Sequence, residues 1–228
     1  MNNSLQAYTD KYKKGYGLLY PDGHIIRFYE RIIKYKLGIC SGNILDFGCG
    51  NGVHSAYFQS KGFKPFGIDI VPSVKTLWEK NVSQTGGGYG KCEIIKPNSS
   101  FKDLFSEKMR IILANQSLYY LPHNSFQQTI NEFYELLEKG GILFATMMSE
   151  RNYHFAFSSE QNNDTYMRKV QIKARLCEES FIHFIKEAKE LTSLFKPFTT
   201  LYLGEYDLFS LYDFEGSAHH YIYIGIKK

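Results

Sequence analysis

The sequence predicts an α/β fold: a doubly wound, mostly parallel sheet closed by an antiparallel last strand. Three observations predict it. Short apolar runs alternate with amphipathic stretches of helical period through most of the chain. The run at 44–47 ends in a glycine-rich turn, Gly48, Cys49, Gly50, Asn51 and Gly52, after which a helix opens. The last two β-rich stretches, 201–211 and 221–226, follow one another closely, as an antiparallel pair does. At 228 residues the chain suits one domain with a full core. Within that single domain, 1–228, a helical cap spans 1–40 and a lid-like insertion spans 149–178.

Each element follows from local pattern. Ile25, Phe28, Tyr29, Ile32, Ile33 and Leu37 share one helical face, which predicts a helix over 25–37 stopped by Gly38. The first strand is 44–47 and the first helix 53–61, ended by Gly62. A second strand covers 65–70. Pro72 then opens a helix whose stripe is Val74, Leu77 and Trp78. Four glycines make 85–90 a loop, and 92–95 is a short third strand. The fourth strand, 110–114, is a continuous apolar run, as befits a parallel strand buried on both faces. A helix over 126–139, capped by Ser125 and stopped by Gly140 and Gly141, leads to a fifth strand at 142–147. Residues 149–175 mix polar clusters and aromatics without a period, and long irregular passages of this kind are usually functional or disordered. Phe181, Phe184, Ile185, Ala188 and Leu191 predict one more amphipathic helix.

The glycine turn is the most informative stretch. A strand, a glycine turn and a helix N-terminus bring bare backbone N–H groups to a ligand, a shape suited to an adenosine-type cofactor. A dinucleotide fingerprint needs G-x-G-x-x-G, but here the third glycine is Gly52 and Val53 stands where it should be. Asp46, two positions before Gly48, would repel a pyrophosphate and attract a cation. Asp69 ends the second strand about twenty residues on, where a ribose diol is held. These glycines, both acids and their spacing resemble the class I S-adenosylmethionine-dependent methyltransferases. That resemblance implies a Rossmann-like fold, S-adenosyl-L-methionine as cofactor, S-adenosyl-L-homocysteine as product, and cofactor contacts from Asp46, Gly48, Cys49, Gly50, His54, Asp69 and Ile70. In that family an acid after the third strand binds the adenine amino group. Here the position falls on Asn98, Ser99 or Ser100, and Ser99 is the expected contact. Asn115 and Gln116, at the carboxyl end of the fourth strand, belong beside the methyl donor, with Tyr119 and Tyr120 nearby.

Before the first strand, YPDGHIIRFYERI is similar to the N-terminal part of small bacterial methyltransferases of surface-polysaccharide pathways. By that resemblance Tyr20 and Arg27 hold the cofactor's carboxylate, for which an Arg fork is well suited. The competing reading makes Arg27 a solvated helix residue and packs Tyr20 on the core. Methyl transfer is driven mainly by positioning, and a hydroxyl or amine acceptor can also need a base. His24 and His154 are the preferred bases or acceptor contacts, with Tyr119 and Glu150 behind them. His54 orders the cofactor loop, and His123 follows the fourth strand. His219 and His220 are adjacent on a strand and face opposite ways, a poor metal pair, so no metal is expected.

Composition narrows the classes. The four cysteines are scattered with no C-x-x-C pair, which suggests neither a disulfide framework nor a zinc site. A net charge of +4, with no basic cluster interleaved with aromatics, argues against nucleic acid. No apolar stretch approaches a membrane span of roughly 20 residues, and the first residues lack a signal-peptide core, so a cytoplasmic location is expected. The expected activity is methyl transfer to a small-molecule acceptor: an oxygen of a sugar, sugar nucleotide, or phosphorylated or phosphoramidate precursor of a surface polysaccharide. The alternatives are a small-molecule N-methyltransferase and a non-catalytic cofactor-binding partner of a heterodimer. A homodimer is also compatible with the sequence.

Overall fold

The computed structural model describes residues 3–13, 17, 19–86, 90–161, 164–172, 178–207 and 216–228. Helix α1 (Asn3–Lys13) comes first. Helix α2 (Gly23–Arg27) runs directly into a π-helix over Phe28–Lys36. In that wider turn the Leu37 N–H donates to the Ile32 carbonyl at 2.9 Å, a five-residue step. The pair buries Ile25, Phe28, Tyr29 and Ile33, the face that the spacing predicts. Next come β1 (Gly42–Phe47), α3 (Val53–Ser60), β2 (Phe63–Asp69), α4 (Val74–Ser83), β3 (Lys91–Ile94) and β4 (Met109–Ala114). A 3-10 turn (Leu118–Tyr120) precedes α5 (His123–Leu136) and β5 (Leu137–Met148). Then follow α6 (Tyr153–Ala156), β6 (Ser158–Gln161), β7 (Asp164–Ile172), β8 (Glu178–Ile182), α7 (Glu190–Leu194), β9 (Thr199–Tyr206) and β10 (His220–Ile226).

Seven strands form one sheet in the order β3-β2-β1-β4-β5-β10-β9. The first five run parallel, and β10 lies antiparallel between β5 and β9. This is the doubly wound, mostly parallel α/β sheet that the sequence predicts. The order reverses at β1, whose neighbours are β2 and β4, so the turns after β1 and β4 face one another across a crevice. On one face Phe126, Ile130 and Phe133 of α5 pack against Leu45, Phe47 and Ile112. On the other, Phe28 and Ile33 pack with Phe58 over Ile44, Leu113 and Phe144.

The insertion departs from its expected irregularity. Strands β6, β7 and β8 form a separate antiparallel sheet. Val170 and Ile172 are buried on either side of exposed Gln171, and both join the main core. The helix expected around Phe181 to Leu191 shrinks to α7. Residues 182–185 are all buried, which one helix face cannot accommodate. They run extended, with the His183 N–H on the Tyr119 carbonyl at 2.8 Å and the Ile185 N–H on the Met148 carbonyl at 2.9 Å. Helix α5 starts at His123, so Ser125 sits inside its first turn instead of capping it, and it ends at Leu136 because β5 begins there. The strand expected over 201–211 ends at Tyr206; 208–215 lie outside the described residues. No described helix is long and apolar enough to cross a membrane.

Gly52 begins α3 at φ 80°, and a Cβ there would lie 2.6 Å from Trp78 Cδ1 and 3.0 Å from its Cα. Left-handed strain and overpacking against a fixed backbone therefore add. Gly52→Ala is expected to lose about 2–4 kcal/mol, read as a lower urea midpoint with an unchanged slope.

Candidate active site

A cavity of about 130 Å³ lies over the switch in strand order. Gly48, Asp69, Ile70, Asn98, Gln116 and Ser117 line it from the strand ends, and Tyr8 and Tyr12 of α1 cover it. The glycine turn is pressed close to its neighbours. Gly48 sits at φ 74°, and a Cβ on it would come within 2.6 Å of Ser117 Cβ. A Cβ on Gly50 would collide with the Tyr12 hydroxyl. Asp69 ends β2 with its carboxylate bonded to the main chain: Oδ2 accepts the Gly50 N–H at 2.9 Å, and Oδ1 accepts Ile70 at 2.7 Å and Val71 at 2.9 Å. Burial still lifts its carboxyl above the ordinary value despite these bonds. The two non-glycine residues with positive φ among those described, Asn98 at 60° and Gln116 at 53°, both line this cavity. Strained backbone concentrates where a ligand is held.

Asp46 is placed differently from the expectation of an ammonium receptor. It is buried, accepts Ser55 Oγ at 2.7 Å, and is absent from the cavity lining. Ser55 in turn accepts Trp78 Nε1 at 2.9 Å. This chain fastens the start of α3 to β1. Cys49 likewise belongs to a small core with Trp78, Val82 and Cys92, its Sγ 3.8 Å from Cys92 Sγ. Ser99 is exposed and bonds to the Lys96 carbonyl; its neighbour Asn98 reaches the cavity instead. Tyr20 is 79% exposed, so it neither packs on the core nor lines the cavity. Arg27 also lies off the cavity, in a separate groove.

Between cavity and groove runs a polar wall. Asn115 Nδ2 donates to Asp22 Oδ2 at 3.1 Å, and Asn115 Oδ1 receives Thr146 Oγ1 at 3.3 Å and lies 2.9 Å from His24 Nε2. That amide orientation assigns the proton to His24 Nε2, leaving Nδ1 as the basic nitrogen. Burial holds the His24 imidazole below its ordinary value, so it is neutral at pH 7. His54 Nε2 lies 3.3 Å from the Asp22 N–H and 3.4 Å from Asp22 Oδ2. One ring nitrogen serves only one of these, accepting when bare and donating when protonated. Burial pushes the Asp22 carboxyl up, but the His54 bond and the two imidazoles more than offset it, and it ends below its usual value. Gln116 completes the wall, with its N–H on Thr146 Oγ1 at 2.8 Å and its Nε2 donating to the Tyr206 hydroxyl at 3.1 Å.

Tyr206 is sandwiched between two imidazoles. His24 stacks on it at 3.9 Å and 16°, and His220 at 5.1 Å and 3°. Tyr119 adds a tilted contact with His220 at 5.6 Å. His220 pairs with Tyr206 across β9 and β10 and with Met148 of β5. Its Nδ1 lies 2.8 Å from the Ala218 carbonyl, which fixes the Nδ1–H tautomer. Its Nε2 is buried with no hydrogen-bond partner. His154 is close enough to influence His220 electrostatically, but its own Nδ1 is 2.8 Å from Asn152 Oδ1 and it lines neither cavity nor groove. Glu150 is exposed, and His123 stacks on Tyr166 at 4.0 Å. His219 faces away from His220, toward Ser149, Arg151 and Glu205. No metal-binding cluster occurs among the described residues. The sequence does not single out Tyr206, His220, Thr146, Tyr8 or Tyr12 for this wall and cavity, His220 being considered only as half of a poor metal pair. The first two meet only through strand register, and the last two through a helix whose signal was the spacing of Leu5, Tyr8 and Tyr12.

Burial pushes the His220 imidazole down from 6.5 to about 4. The unfolded chain binds that proton in the window between these values and the folded chain does not. Stability is therefore retained above pH 6.5 and lost as pH falls through about 4. Unfolding by urea at pH 7 and pH 4.5 is expected to show a smaller acid loss in His220→Phe than in the native chain, by up to about 3 kcal/mol. Parallel loss in both would contradict this.

The geometry can be set beside known proteins. The fold is that of an S-adenosylmethionine-dependent methyltransferase from Methanosarcina mazei (19% identity, 92% of this chain and 99% of that one, TM-score 0.68). It is likewise that of the N-methyltransferase NodS from Bradyrhizobium japonicum, solved with S-adenosylhomocysteine (12%, 90% and 84%, TM-score 0.60). A third is the 1,6-didemethyltoxoflavin-N1-methyltransferase from Burkholderia thailandensis, solved with bound 1,6-didemethyltoxoflavin and S-adenosylhomocysteine (15%, 99% and 87%, TM-score 0.65). No match is found among the curated proteins. A family profile described as "Methyltransferase domain" matches residues 22–196, which takes in the polar wall, the glycine turn and the insertion. The chain belongs to that methyltransferase family.

Proposed function

We propose that the chain transfers the methyl group of S-adenosyl-L-methionine to a small polar acceptor, with an oxygen of a sugar, sugar nucleotide or phosphorylated surface-polysaccharide precursor as the receiving atom. The observation that carries the donor half is Asp69 beside the bare glycine turn. Its carboxylate is fixed by three main-chain N–H groups and still lines the cavity, so it presents oriented acceptors to a ribose diol. The crevice that a Cβ on Gly48 or Gly50 would fill suits a ligand needing close backbone approach. Gly48, Ile70, Asn98 and Gln116 would line the bound cofactor, with Tyr8 and Tyr12 over it. When bound, the cofactor supplies an electrophilic sulfonium methyl.

The acceptor half rests on the wall beyond Gln116. His24 presents a neutral imidazole whose Nδ1 is free to hold a proton from a hydroxyl or amine, oriented through Asn115 and Asp22. His24 and Tyr206 line the groove as polar but uncharged rings, with His220 buried behind Tyr206. The insertion, with β8 packed on α1 and on the 3-10 turn, acts in this reading as a cover that excludes water. The surface-polysaccharide assignment is supported by the likeness of YPDGHIIRFYERI alone. Nitrogen is the second reading for the receiving atom, supported by two structural neighbours named as N-methyltransferases.

Calorimetry is expected to give saturable binding of S-adenosylhomocysteine, weakened at least about tenfold in Asp69→Ala. Gly48→Ala should abolish binding while leaving the protein folded by circular dichroism. Binding of NAD in place of S-adenosylhomocysteine would end the reading. Labelled methyl transfer across sugar nucleotides, sugar phosphates and small amines then separates oxygen from nitrogen acceptors.

A further inference from the structure

Behind the polar wall, a groove of about 600 Å³ opens between the α2–π helix and strands β9 and β10. Ile222 and Ile224 form part of its lining, and His24 and Tyr206 stand at the end adjoining the wall. Arg27 and Arg31, four residues apart, also line it, and both are exposed. The charges in this groove are unevenly matched. Its two carboxylates are engaged. Glu205 is bonded by Arg151 at 2.6 Å and faces His219 at 3.4 Å, while Asp207 accepts Ser217 Oγ at 2.6 Å and the Ala218 N–H at 2.9 Å. The two guanidiniums have no such partner: among the described residues neither Arg27 nor Arg31 makes an ion pair or a hydrogen bond.

We propose that Arg27 and Arg31 form an anion site in this groove, and that it holds a phosphate or diphosphate group of the methyl acceptor. This deepens the methyltransferase reading and rests on it for the word acceptor. Two guanidinium forks on one helix suit a group with several oxygens, which takes paired N–H···O bonds from each. The apolar lining suits the uncharged remainder of such a molecule. The path then leads to the right place. Tyr206 lines the groove and receives a hydrogen bond from Gln116, and Gln116 lines the cavity beneath the glycine turn. A molecule anchored at the arginines thus lies against the one wall that the two spaces share. Arg27 is thereby reassigned: the same fork that suits a cofactor's carboxylate serves the other ligand, because it lines the groove and not the cavity.

The test uses the full chain, with and without saturating S-adenosylhomocysteine, titrated with inorganic pyrophosphate, glucose 6-phosphate and UDP-glucose at low salt. At least one probe is expected to bind saturably with Kd at or below about 1 mM, weakening as salt is raised. The Arg27→Ala/Arg31→Ala variant should lose at least about tenfold in that affinity, and Arg27→Lys should lose part of it, since the charge stays and the fork goes. Affinity for S-adenosylhomocysteine should be unchanged in both, which also reports an intact fold. Failure of all three probes, or undiminished binding in the double variant, would overturn the site. So would a matching loss of S-adenosylhomocysteine affinity, which would return Arg27 to the cofactor. Should S-adenosylhomocysteine fail to bind the native chain, the donor reading falls, while the titrations without it still decide the anion site.

Discussion

The constraint on which the structure turns is the meeting of Asp69 with the glycine turn. One carboxylate at the end of β2 takes N–H groups from its own following residues and from Gly50, 19 residues earlier in the turn that follows the neighbouring strand β1. This bond needs Gly48 and Cys49 to donate to the Ile68 carbonyl, at 2.8 Å and 3.0 Å, so that the turn is laid flat across β2. It needs glycine at 48, 50 and 52, each in the left-handed region. It also needs Trp78 packed where side chains on Gly52 and Gly67 would otherwise be. The buried chain from Trp78 through Ser55 to Asp46 then pins the first turn of α3. Asp46, Asp69 and three glycines are thus parts of one device that holds a segment of bare main chain open to a ligand.

A second device divides that cavity from the groove. Gln116 leaves β4 with a left-handed backbone, an unfavourable conformation for a side-chain-bearing residue. Two hydrogen bonds hold it there, one to Thr146 of β5 and one to Tyr206 of β9. The strand order explains why these partners are available, since β5, β10 and β9 follow β4 outward in the sheet. The antiparallel pair at the sheet's edge therefore carries Tyr206 and His220 to the carboxyl ends of the parallel strands, beside the groove and the wall. A transfer reaction needs donor and acceptor held side by side, and in the proposed reading the mixed sheet supplies the boundary between their two spaces.

Much of this was legible in the sequence, and the limits have physical causes. The parallel strands, the glycine turn and Asp69 are local: each is set by residues within one short window, where apolar runs and glycines report directly on burial and backbone. The wall of the site farthest from the glycine turn is not local. His219 and His220 face opposite ways, as adjacent strand residues do, which rules out a metal pair but does not show what either one meets. His219 turns to Ser149, and His220 meets Tyr206 through a register that no single stretch encodes. The insertion misled for a related reason. Val170 and Ile172 alternate with Gln171 at strand period, but over too few residues to stand out from the polar clusters around them. Residues 181–191 matched a helical spacing by coincidence, and the deciding fact, four consecutive buried positions, is a tertiary one.

Arg27 shows how one tether can set where a side chain falls. The segment before α2 crosses the glycine turn closely: a Cβ on Gly17 would come within 2.8 Å of Asn51 Nδ2, and Asp22 meets His54 of α3. Asp22 also starts the helix, its carbonyl receiving the N–H groups of Ile25 and Ile26 at 3.0 Å and 3.1 Å. With the start fixed there and Ile25, Phe28, Tyr29 and Ile33 required for the core, the rotation of the helix is determined. His24 falls against Asn115 and Tyr206, and Arg27 and Arg31 fall on the groove. Beginning the helix one residue later would turn each of them by about 100°, and His24 would lose the wall it completes. The histidine at the wall and the arginines in the groove are therefore consequences of a single bond pattern at Asp22, which also ties the start of that helix to α3 just after the glycine turn.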